Sequence, residues 1–130
     1  MAVISSPRPS IPVLCLDEGQ ADSLDALAAA VAIFGADRFE LLYAPDRDAL
    51  HRMTDELTAL RADALVVIDA DRALEPKSLL AEAADIGFPL VVLSDGRSDD
   101  IEDHALSVGA AAYLPSTLPA QTLVARLAAI

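Results

Sequence analysis

Three carboxylates stand at the ends of two apolar runs. Asp17 and Glu18 close the run Val13-Leu14-Cys15-Leu16, and Asp69 closes Ala64-Leu65-Val66-Val67-Ile68. A continuous apolar run of this length reads as a strand buried on both faces, as in parallel sheets. Open α/β sheets place their ligands beyond the carboxyl ends of such strands. If the two strands are neighbours, the three carboxylates converge on one spot. Like charges gather only at a cost, so the cluster points to a divalent cation, a shared proton or a phosphoryl acceptor.

Strand and helix patterns alternate along the chain and supply the elements that must position these groups. Ile11 to Leu16 is the first predicted strand. Leu24, Leu27, Ala28, Val31 and Phe34 then follow helical spacing, with Gly35 as the stop. Phe39 to Tyr43 is a second strand, and its Glu40 marks it as an edge. After the break at Pro45-Asp46, Leu50, Met53, Leu57 and Leu60 form the inward face of a second helix. Ala64 to Ile68 is the third and central strand. Pro76 suits the first turn of a third helix, with Leu79, Leu80, Ala83 and Ile86 inward and Gly87 as its end. Leu90 to Leu93 is the fourth strand. Ser98-Asp99-Asp100 reads as the capped start of a fourth helix, which buries Ile101, Ala105 and Val108 and stops at Gly109. Ala111 to Leu114 is the fifth strand. Pro119 opens a fifth helix with Leu123, Leu127 and Ile130 on one side. Five such units predict an α/β fold, a doubly wound five-stranded parallel sheet with five helices. The order 2-1-3-4-5 follows from a central third strand and an edge second strand. Its switch point, between strands one and three, is where Asp17, Glu18 and Asp69 would meet.

Composition narrows the function classes. At 130 residues the chain is expected to form one domain spanning 11–130, after a loose leader at 1–10. Hydrophobic residues make up 54% of it but aromatics only 4%, which favours a helix-covered sheet over an aromatic-rich recognition module. A formal net charge of -12 argues against direct binding to nucleic acid or an anionic membrane surface. No apolar stretch is long enough for a membrane span. The single cysteine, Cys15, lies inside a strand pattern, so it is expected as a buried structural thiol in a reducing, cytoplasmic setting. His51 and His104 fall at exposed helical phases with no cysteine or histidine at ligand spacing, and both are expected at the surface.

The stretch Phe88-Pro89-Leu90-Val91-Val92-Leu93-Ser94-Asp95, followed by His104-Ala105-Leu106-Ser107-Val108-Gly109-Ala110-Ala111-Ala112-Tyr113-Leu114-Pro115, resembles the receiver domains of two-component response regulators. The resemblance extends from about Ile11 to Ile130 and implies a flavodoxin-like fold. It implies that Asp69 is the phospho-acceptor of a phosphorelay, fed by a histidine kinase or a phosphotransfer protein. It assigns Asp17 and Glu18 to the acidic pair that holds Mg2+ together with Asp69 and the backbone carbonyl of Asp71. It makes Ser94 the hydroxyl residue that contacts the phosphoryl group, in place of a simple turn or cap role, and Tyr113 the switch aromatic. It also implies a module rather than an enzyme. Partners would be an output domain beyond Ile130 or a second copy on the face of the fourth helix, fifth strand and fifth helix.

The chain departs from the family pattern at two places. The family lysine falls on Ser116, and the proline that usually follows it is replaced by Thr117. The loop after the acceptor, Ala70-Asp71-Arg72-Ala73, lacks the family's proline and glycine. A neutral hydroxyl in place of a fixed cation implies weakened coupling between phosphorylation and switching. Arg72 and Arg97 are candidate replacements for the charge. The departures leave a second reading open, a degenerate receiver that acts only through protein contacts. A flavin- or nucleotide-binding domain fits less well, because Asp17-Glu18-Gly19-Gln20-Ala21 has one glycine and two acids where a phosphate-cradling loop is needed. A small-molecule enzyme has no visible nucleophile–base pair to support it.

Overall fold

The computed structural model describes residues 11–16, 22–70, 76–94, 99–115 and 117–130. Ten elements alternate: β1 (Ile11–Leu16), α1 (Asp22–Phe34), β2 (Phe39–Ala44), α2 (Arg47–Ala59), β3 (Leu65–Asp69), α3 (Pro76–Ala84), β4 (Leu90–Ser94), α4 (Asp99–Ser107), β5 (Ala112–Pro115) and α5 (Ala120–Ala128). The strands form one parallel sheet in the order β2-β1-β3-β4-β5. Every residue of β3 and β4 is buried, as expected of strands covered on both faces. β2 exposes Glu40 and Tyr43 and lies at one edge, while the short β5 forms the other.

Side chains of successive strand residues point to opposite faces, and the core divides accordingly. Val13, Cys15, Leu65, Val67, Val91 and Leu93 pack on one side with Leu24, Leu27 and Val31 of α1 and Leu123, Val124 and Leu127 of α5. Leu14, Leu16, Val66, Ile68, Leu90 and Val92 pack on the other with Leu50 of α2, Leu79, Leu80 and Ala83 of α3, and Ala105 of α4. Two helices therefore cover one face and three the other. Cys15 is fully buried, its thiol directed at the Val13 carbonyl, which fits a structural role.

Helix ends depart from the simple periodic reading. Phe34, Leu60 and Ile130 follow the apolar phase of their helices but are 45%, 76% and 41% exposed. Each stands at or past the last turn, where the helix has overrun the sheet that covers its middle. In α1 the fully buried alanine is Ala30, with Ala28 only half-buried. Gly35 does follow α1, but not for a left-handed backbone. A Cβ there would lie 3.1 Å from Val124 Cγ1 and 3.2 Å from Phe39 Cδ2, so glycine lets the α1 terminus approach α5 and β2.

Positive φ follows three other helices: at Gly87 (φ 98°), three residues past α3 where the sequence placed the stop, and at the ends of α4 and α2. After α4, Gly109 has φ 94°, and reverse hydrogen bonds run from Ala110 N to Ala105 O and from Gly109 N to Leu106 O. After α2 the same pair of bonds, Ala62 N to Leu57 O and Arg61 N to Thr58 O, is made around Arg61 at φ 55°. The start of α2 is capped by Asp46, whose Oδ1 accepts from Ala49 N at 2.7 Å.

Candidate functional site

β3 ends on Asp69 and β4 ends on Ser94, side by side at the carboxyl edge of the sheet. Register fixes their relation: Asp69 pairs with Leu93, the residue before Ser94. The ladder continues one step further, with Ala70 N donating to Leu93 O at 3.0 Å, so the chain just past Asp69 is still tied to β4. On the other flank Leu16, the last residue of β1, pairs with Ile68, so the chain leaves β1 beside the end of β3. β1 turns outward to β2 and β3 turns the opposite way to β4, which makes this the switch point of the sheet.

Burial sets the electrostatics. Asp69 is 6% exposed and Ser94 is fully buried. A buried carboxylate is costly unless it is hydrogen-bonded, paired or able to take a cation. Among the described residues no buried side-chain nitrogen or oxygen lacks a hydrogen-bond partner, so both groups are satisfied. The Asp69 carboxylate is a hard oxygen donor of the kind that magnesium takes. Tyr113 of β5 pairs with Val92 of β4 and is half-buried against the core under α2, α3 and α4.

Asp69, Ser94 and Tyr113 are thus brought to three adjacent strands. Asp17, Glu18, Asp71 and Ser116, together with Arg72 and Arg97, lie outside the described residues. Among the described residues no three histidine, cysteine, aspartate or glutamate side chains gather as a metal-binding group.

Solved structures share this fold. A response regulator from Thermotoga maritima matches with a TM-score of 0.66 and 22% identity, over 92% of this chain and 96% of that one. A CheY-like response regulator receiver domain protein from Methanospirillum hungatei JF-1 matches with a TM-score of 0.67 and 18% identity, over 92% of each chain. An orphan response regulator of H. pylori matches with a TM-score of 0.65 and 20% identity, over 95% of this chain and 98% of that one. The fold is that of response regulator receiver domains. No family model matches the chain, and no curated protein sequence matches it either.

Outside the carboxyl edge, the receiver fold carries a polar bridge that the sequence does not announce. His51 Nε2 lies 2.6 Å from Glu82 Oε1, and Arg47 donates to Glu82 Oε2 at 3.2 Å. His51, expected at the surface, keeps a side chain that is 44% exposed, and from there it joins α2 to α3; His104 is partly exposed. Arg47 and His51 are four residues apart and share one side of α2, which is legible in the sequence. Their partner lies on a helix more than thirty residues away, which is not. A groove of about 380 Å³ runs alongside, between α2 and α3. A second groove, of about 510 Å³, opens where Ala111, Ala112 and Ala129 leave space between β5 and α5, with Arg126 at its side. No described helix is long and apolar enough to cross a membrane.

Proposed function

We propose that this chain is a signalling receiver in which Asp69 accepts a phosphoryl group. The observation that carries this reading is the position of Asp69: the last residue of the central strand, nearly buried, at the switch point of the sheet, with the next residue, Ala70, tied to β4. There its carboxylate oxygen can attack the phosphorus of a donor in line. A new oxygen–phosphorus bond forms as the bond to the leaving group breaks, and the leaving group departs with the electron pair. Asp17, Glu18, Asp69 and the Asp71 carbonyl would hold Mg2+, which supplies charge neutralisation for the phosphoryl oxygens. Ser94 donates its hydroxyl hydrogen to one of those oxygens, and Tyr113, one strand further, responds to the change at Ser94.

Ser116 supplies a neutral donor where the family has a lysine, so the link from phosphorylation to switching is weak in this chain. The same residue favours a second reading, a degenerate receiver that signals by contact alone. The phosphoryl donor in the first reading is a histidine kinase or a phosphotransfer protein. The partner face in both is that of α4, β5 and α5. The open groove between β5 and α5, beside Arg126, supports contact with a second copy or with an output domain.

Intact-mass analysis after incubation with a small phosphodonor and magnesium tests the proposal, with Asp69→Asn as control. A gain of one phosphoryl group, lost in the control, is expected. No gain in the native chain, with magnesium present, transfers the function to the contact surfaces.

A further inference from the structure

We draw no further inference here: the strongest candidate, the groove between α2 and α3 lined by His51, Thr54, Asp55, Glu82 and Asp85, is an acidic cluster whose histidine already pairs with Glu82 and whose buried Thr54 hydroxyl already donates to the His51 carbonyl, and nothing else among the described residues points to a ligand there.

Discussion

Replacing Arg61 with glycine should stabilise the protein, and replacing Gly109 with alanine should destabilise it by a similar amount. Both residues close a helix with the same pair of reverse hydrogen bonds, and both have positive φ, 55° at Arg61 and 94° at Gly109. An L-residue in the left-handed region is strained by roughly 1–2 kcal/mol. Glycine escapes that strain but adds freedom to the unfolded chain, which offsets about 0.4–1 kcal/mol of the gain. The difference leaves up to about 1.6 kcal/mol, with a midpoint of about 0.8 kcal/mol, in favour of Arg61→Gly and a comparable loss for Gly109→Ala. A Cβ built at Gly109 meets nothing within 4 Å, so the loss there is one of backbone conformation and not of packing. Arg61→Ala is the control: it removes the exposed side chain but keeps the strain, and should change stability by less than about 0.5 kcal/mol. Urea unfolding with an unchanged slope reads all three. Arg61 and Gly109 follow the carboxyl ends of α2 and α4, remote from Asp69, so phosphoryl uptake should not change. A destabilising Arg61→Gly together with a Gly109→Ala at least as stable as the native chain would refute the argument that these two termini are limited by φ.

Four further outcomes are expected. Asp69→Asn should abolish phosphoryl incorporation while leaving the far-UV circular dichroism unchanged; a control that still gains mass would place the acceptor elsewhere. Ser116→Lys should strengthen coupling by about 0.5–2 kcal/mol, the difference between a charged and a neutral hydrogen bond, or roughly 2- to 30-fold in the switched population. That population can be followed by NMR with beryllofluoride as the phosphoryl mimic, and an unchanged population would mean that another residue already supplies the cation. A double-mutant cycle on His51 and Glu82, whose side chains are 44% and 35% exposed, should give a coupling of about 1 kcal/mol or less, and one well above 2 would contradict the view of a solvent-screened bridge. Leu80→Ala, at a fully buried position on the α2–α4 face, should cost about 2–5 kcal/mol in denaturant unfolding, whereas Leu106→Ala, 54% exposed, should cost far less; equal losses would overturn the core assignment.

The alternation of strand and helix, the sheet order and the placing of Asp69 and Ser94 at strand ends were all legible in the residues. Each rests on a local signal. Five-residue apolar runs such as Ala64 to Ile68 with Asp69 behind them describe a buried strand with a polar exit, whatever surrounds them. Glu40 within β2 is likewise enough to deny that strand a central place, because a charge needs a solvated side. Only the tertiary structure decided where the covering ended. Phe34, Leu60 and Ile130 obey the helical period yet stand in solvent, since periodicity says which side of a helix is apolar but not how far the sheet beneath it extends. Gly35 looks from the sequence like an ordinary helix stop, and its requirement for glycine comes from Val124 and Phe39, which reach it from α5 and β2. Glu82 meets His51 and Arg47 because the sheet order puts α2 and α3 on one face, a long-range packing relation that no local spacing encodes. The chemistry of each side chain and the period of each element were the sequence's to determine; which of them meet, and which are left exposed, depended on the packing of helices against a sheet of limited width.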